Sequence, residues 1–169
     1  MSSELEAFRA EKDRFFASHP QSPLTPEQRR SFRGLDYFPE NAGLRFEATV
    51  EAFPNEEQVV MQTSTGDTQT YVRYARFRFS VDGQDAELTI YASPHGFFLP
   101  FVDALAGKET YGAGRYLDPE ALPDGTFLID FNLAYNPYCA YNPNWACPLT
   151  PKENRLAVKI EAGEKNYHQ

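Results

Sequence analysis

Asp82-Gly83 sits between two runs of alternating apolar and polar residues, and this arrangement constrains the chain more than any other feature. Asp-Gly is a preferred pair for a two-residue type I′ turn, because both central residues need positive φ and the turn matches the twist of its flanking strands. A turn of that length fixes the register of everything beyond it. Phe79 then lies opposite Ala86, Phe77 opposite Leu88 and Ala75 opposite Ile90 on one face. The other face pairs Ser80 with Asp85, Arg78 with Glu87, Arg76 with Thr89 and Tyr74 with Tyr91. The first face is a core face and the second meets solvent, with Arg78 and Glu87 as a surface ion pair worth ~0.2–1 kcal/mol. Extended further, the register carries Tyr71 and Arg73 onto the buried face. The Arg73 guanidinium either snorkels to water from the strand end or waits for an anion at the mouth of a cavity.

Period-two patterning begins earlier, where Leu44, Phe46, Ala48, Val50 and Ala52 alternate with Arg45, Glu47, Thr49 and Glu51. Pro54-Asn55 is expected to turn the chain into a strand over 58–65, and Gly66-Asp67 to turn it again. Further strands are expected over 97–101, 110–117, 126–133 and 155–161, separated by turn residues at Ser93-Pro94-His95-Gly96, Asp118-Pro119 and Pro123-Asp124-Gly125. With short connections throughout, the expected fold is mainly β, an antiparallel β-barrel or rolled sandwich of about eight strands with two N-terminal helices.

The helices precede residue 44. Ser3-x-x-Glu6 is a capping-box pattern, and Leu5, Phe8, Lys12, Phe15 and Phe16 form a helical stripe that predicts a helix over 4–17, stopped by His19-Pro20. Thr25-Pro26-Glu27-Gln28 supplies a second start, with Thr25 as N-cap, Pro26 at the first helical position and Gln28 reaching back; Gly34 is the expected C-cap. The reading is one domain over 1–169, with a helical cap and connector over 1–43, a β core over 44–169 and an Asn/Pro-rich loop over 134–154.

A chain of 169 residues with 41% hydrophobic and 15% aromatic residues can bury a sizeable core. Its net charge of -8 opposes nucleic acid, whose binding depends on Lys and Arg meeting phosphates. Arg29, Arg30 and Arg33 read as a solvated face. No apolar run approaches the ~20 residues that span a bilayer, and the first residues have no apolar signal segment, so the expectation is a cytoplasmic protein without membrane contact. Cys139 and Cys147 match no tight metal-ligand spacing and read as small buried residues, with reactive thiol, disulfide and ligand as alternatives. His19, His95 and His168 are too scattered to complete a metal set, so no metal and no cofactor is assigned.

The densest chemistry lies between Asp130 and Arg155, which holds both cysteines and the only tryptophan. Ala134-Tyr135-Asn136-Pro137 recurs as Ala140-Tyr141-Asn142-Pro143, and Asn and Pro favour turns, so a rigid string of turns pinned by aromatic rings is expected. Arg115, between Gly114 and Tyr116, could offer its planar fork to a carboxylate or phosphate; the competing reading is an ion pair with Asp103, Glu109 or Asp130. Asp130 and Asn132 share a strand face. The candidate ligand-binding set is therefore Arg73, Asp103, Arg115, Asp130 and Asn132, joined by Asn136, Cys139, Tyr141 and Asn142 of the loop. A small polar or anionic molecule is the expected partner. Two alternatives remain: a hydrolase or thiol enzyme using Cys139 with His95, or an acid pair such as Asp103 with Glu109; and a structural module whose aromatics make a homodimer surface. No nucleophile elbow, phosphate loop, zinc motif or dinucleotide fingerprint occurs in the sequence.

An ordered string of motifs points to a family. It comprises Ser22-Pro23-Leu24-Thr25-Pro26-Glu27-Gln28, Gly34-Leu35-Asp36-Tyr37-Phe38-Pro39, Met61-Gln62-Thr63-Ser64-Thr65-Gly66, Leu99-Pro100-Phe101-Val102-Asp103, Gly107-Lys108-Glu109-Thr110-Tyr111 and Gly114-Arg115-Tyr116-Leu117. The Asn/Pro stretch and Ile160-Glu161-Ala162-Gly163-Glu164-Lys165 follow. Together they resemble domain-of-unknown-function family 1684, found mainly in prokaryotes. Ala104-Leu105-Ala106 departs from the more polar Ala-Thr-Ser that the resemblance implies. The family is uncharacterised, so the resemblance brings no catalytic residues.

Overall fold

The Asp82-Gly83 turn forms with both residues at positive φ, 50° and 79°, and the hairpin beyond it keeps the register that the turn dictates. A computed structural model describes residues 3–167. Its helices are α1 (Ser3–Ser18) and α2 (Pro26–Ser31); the strands are β1 (Arg45–Ala48), β2 (Val50–Gln62), β3 (Thr68–Val81), β4 (Gln84–Ser93), β5 (Gly96–Phe101), β6 (Arg115–Leu117), β7 (Glu120–Ala121) and β8 (Phe127–Asp130). The Ser3 side chain and His168, both singled out from the sequence, lie outside the described residues.

The strands form two antiparallel sheets, β2-β3-β4-β5-β6 and β1-β8-β7, and no closed barrel. Between them lies the main core, with Phe77, Leu88 and Ile90 from the hairpin, Leu99 and Phe101 from β5, and Ile129 from β8. Phe79 is half-buried at its edge, stacked on Phe46 at 5.7 Å, while Arg78 and Glu87 pair in solvent at 3.4 Å.

The strand count agrees with expectation, but the membership differs. The run over 44–52 breaks at Thr49 between the two sheets, β7 is unexpected, and the run over 126–133 ends at Asp130. Asn132 therefore sits on a 3₁₀ turn and does not share a strand face with Asp130. Pro54-Asn55 does not turn the chain; β2 runs straight through them, and the ladder absorbs the irregularity as a register shift between Ala52 and Glu57. The expected strand over 110–117 shrinks to β6, because Gly107, Gly112 and Gly114 allow the preceding residues to coil tightly. The expected strand over 155–161 is irregular chain that bends at Ala157 and Val158, with a single parallel bridge, Val102 to Arg155, although Val158 and Ile160 are buried in the core. Backbone bonds to Val102 and Ala104 hold its first half, and side chains hold Ile160: the Asp103 carboxylate accepts the Ile160 N–H at 2.7 Å, and Arg115 donates to the Ile160 carbonyl at 2.9 Å.

At the N-terminus the Thr25 capping box is complete, with the Gln28 N–H donating to Thr25 Oγ1 and the Thr25 N–H to Gln28 Oε1. The C-cap is Phe32 rather than Gly34, and Gly34 instead takes φ 113° before the Leu35 amide donates to Asp13. Among the described residues no helix is long and apolar enough to cross a membrane.

Candidate functional site

The hairpin register breaks once, and the break relocates Arg73. A bulge at Tyr74 sets Arg73 opposite Tyr91 instead of leaving Tyr91 to Tyr74, so Arg73 leaves the face of Ala75 and Phe77. The sequence expectation of a guanidinium continuing the buried row is thereby corrected: one extra residue reverses the alternation. On its new face Arg73 donates to both oxygens of Glu153, at 3.0 and 2.8 Å, reaches Glu57 at 3.3 Å and lies over the Phe53 ring. The bidentate bond to Glu153 raises its pKa further.

Arg115 is fully buried on the core side of β6. It donates to the carbonyls of Ile160, Ala162 and Glu164 and faces Asp103 at 3.6 Å. Asp103 also accepts the Thr110 hydroxyl at 3.3 Å. Burial pulls the guanidinium down to about 10, against the pull of Asp103 and Glu164, so it remains cationic at neutral pH. Arg115 thus ties the C-terminal segment to β6. Gly114 beside it faces protein rather than open space, since a Cβ there would lie 2.5 Å from the Phe101 carbonyl oxygen and φ is already 102°. Gly114→Ala is expected to destabilise the protein by about 1–3 kcal/mol, measured by denaturant unfolding.

Asp130 and Asn132 form a separate cluster. Asp130 caps the short 3₁₀ turn Phe131–Leu133 by accepting the Asn132 N–H at 3.0 Å, and the Asn132 amide exchanges bonds with the Asn41 backbone. Among the described residues the ion-pair partner of Asp130 is Arg45, at 3.4 Å, whereas Arg115 faces Asp103. Of the acid pair considered from sequence, Asp103 is buried and bonded to Thr110, whereas Glu109 is exposed.

The Asn/Pro segment crosses the second face of the five-stranded sheet. Tyr135 exchanges backbone bonds with Tyr116 on β6, and the Leu149 N–H donates to the Gln62 carbonyl at the end of β2. Beneath it Met61, Tyr91, Phe98 and Tyr116 form a second apolar cluster with Cys147. Pro137 leads into the 3₁₀ turn Tyr138–Ala140, and Asn142 caps the next turn by accepting the Asn144 N–H at 3.1 Å. Aromatic edges pin the string, Tyr138 on Trp145 at 5.2 Å and Phe16 on Tyr141 at 5.0 Å. The two copies of the repeat diverge in role, because Asn136 is buried and bonded to Lys165 while Asn142 is half-buried.

Between this segment and α1 opens a cleft of about 780 Å³. Phe8, Phe15 and Phe16 line it from the helix, and Tyr138, Trp145 and Cys147 from the segment. Lys12 and Glu11 are its charged members. The Lys12 ammonium pairs with the carboxylate of Glu164, which is almost fully buried and also accepts the Tyr141 hydroxyl and the Asn136 N–H. Lys12 lies over the Phe16 and Tyr135 rings as well. Burial, then the Glu164 charge, drives the Tyr141 phenol well above its ordinary value, so it stays a donor. None of the sequence-derived candidates lines this cleft, although Asn136, Cys139, Tyr141 and Asn142 belong to the segment that forms one of its walls. Lys12 and Glu164 were missed as a pair, and the stripe of aromatics on α1 was the one visible signal. His95 is exposed in the turn between β4 and β5, away from the partners of Cys139, which are Cys147, Tyr111 and Ser64. Among the described residues no group of three or more His, Cys, Asp or Glu side chains could hold a metal ion.

These features define a two-sheet β protein with a helical N-terminal cap and an aromatic cleft under that cap. Residues 30–165 match the family described as "Protein of unknown function (DUF1684)", and the chain belongs to it. It is also similar to the uncharacterised protein from gene locus rrnAC0354 of the archaeon Haloarcula marismortui, solved in solution by NMR. The two share 40% identity and superpose with a TM-score of 0.73 over 99% of this chain and 95% of that one. No curated protein matches the chain.

Proposed function

We propose that the protein binds a flat, largely apolar small molecule in the cleft between α1 and the Asn/Pro segment. The observation that carries this reading is the lining itself: a recess of about 780 Å³ walled by aromatic rings, with one ammonium at its floor. Ligand clefts commonly have volumes of ~300–1,000 Å³ and combine apolar walls with a few fixed polar groups. The Lys12–Glu164 pair supplies the polar end, where a ligand hydroxyl or carbonyl could bond without displacing an ion pair. This reading departs from the polar or anionic ligand expected from sequence, because the Arg73 and Arg115 terminal nitrogens already donate to protein acceptors and a net charge of -8 disfavours anions.

Trp145 makes the reading measurable, being the only tryptophan and part of the cleft wall. N-phenyl-1-naphthylamine, a flat uncharged probe, is expected to quench Trp145 saturably with one site per chain. Tyr138→Ala should weaken that binding about tenfold or more while the fold persists, since a central aromatic anchor typically contributes well over 1 kcal/mol. Quenching that does not saturate, or that Tyr138→Ala leaves unchanged, would falsify the reading.

A further inference from the structure

Cys139 and Cys147 are brought together by the fold of the segment that holds them. The 3₁₀ turn Tyr138–Ala140 and the Asn142-capped turn reverse the chain, so that the Cys139 N–H donates to Cys147 Sγ at 3.2 Å. Both thiols are free. They are unequal: Cys139 is half-buried with its Sγ 3.8 Å from the Tyr111 hydroxyl, whereas Cys147 is buried and forms part of the cleft wall. We propose that Cys139 and Cys147 form a dithiol–disulfide couple in which Cys139 attacks a low-molecular-weight disulfide and Cys147 resolves the adduct.

The electrostatics agree with that division. Donation from the Cys147 thiol, then from the Tyr111 and Ser64 hydroxyls, pulls Cys139 down to about 6, while the thiolate so formed pushes Cys147 up. Both shifts favour charge on the more accessible sulfur. Tyr111 and Tyr116 are the titratable groups facing it, and burial keeps both phenols protonated.

In the first step the Cys139 thiolate bonds to one sulfur of R–S–S–R, the S–S bond breaks, and R–S⁻ leaves. That thiolate takes the Cys147 proton and becomes R–SH. Cys147 then attacks Cys139 Sγ, breaking the mixed disulfide and releasing a second R–S⁻. The protein loses two electrons to the incoming disulfide, which leaves as two reduced thiols. Because Trp145 packs on Tyr138 next to Cys139, closing the disulfide ties together two parts of the cleft wall. The couple does not depend on what the cleft binds.

The test uses the full chain, reduced and freed of reductant, with 2-hydroxyethyl disulfide as probe and intact mass as readout. The expected wild-type product lacks two hydrogens and carries no adduct. Cys147→Ser should stop at one adduct on Cys139, and Cys139→Ser should react about tenfold slower or worse. Alkylation of Cys139 by iodoacetamide should rise through a midpoint near the same pH of about 6. Wild-type protein that retains one or two adducts overturns the proposal. So do serine variants that react equally, or an alkylation midpoint at the ordinary thiol value of ~8.5.

Discussion

Arg115→Met is expected to lower the unfolding free energy by about 3–5 kcal/mol, because it leaves a buried carboxylate and three buried carbonyls without their donor. The carbonyls belong to Ile160, Ala162 and Glu164, and the carboxylate to Asp103, itself buried and bonded to the Ile160 N–H. Methionine fills most of the volume, so the loss is one of pairing rather than packing. For a chain of this size the midpoint of thermal unfolding should fall by roughly 10 °C. Arg115→Lys should recover only a small part, since a single ammonium cannot reach carbonyls spread along the C-terminal segment as a planar fork does. A melt unchanged by Arg115→Met, with loss of a co-purified ligand instead, would return Arg115 to a binding role.

Features set by neighbours in sequence were legible, and features set by distant partners were not. Asp82-Gly83 and Thr25-Pro26-Glu27-Gln28 each specify their geometry within four residues, and both formed as read. The bulge at Tyr74 was hidden because Tyr71, Arg73 and Ala75 fit a continuous alternation equally well; only the pairing of Arg73 with Tyr91 and its bond to Glu153 reveal the shift. The segment over 155–161 has the composition of a strand, yet its backbone is met by Val102 and Ala104 and, at Ile160, by the Asp103 and Arg115 side chains, which no local pattern encodes. For the candidate site, the rings of α1 and the aromatic Asn/Pro segment were visible separately. Their apposition was not. Lys12 and Glu164 stand 152 residues apart, and Glu164 lies in a polar closing run that gives no sign of burial.

Glu164 is the polar group that ties α1 to the Asn/Pro segment, and Glu164→Leu is expected to cost about 3 kcal/mol or more. One carboxylate, 1% exposed, meets the Lys12 ammonium from α1, the Tyr141 hydroxyl and the Asn136 N–H. Leucine removes the acceptor from all three and leaves a largely buried cation beside the rings of Phe16 and Tyr135. Lys12→Met alone should cost less, because Glu164 keeps two donors. The double variant Lys12→Met/Glu164→Leu should be more stable than Glu164→Leu, since it no longer buries an unpaired ammonium. If the two costs simply add, Lys12 and Glu164 are not coupled and the polar floor of the cleft does not hold α1 in place. If they couple, probe quenching of Trp145 should weaken in both single variants, because either one removes the Lys12–Glu164 tie of α1, while Phe16 packed on Tyr141 and Asp13 bonded to the Leu35 amide still hold the helix against the body.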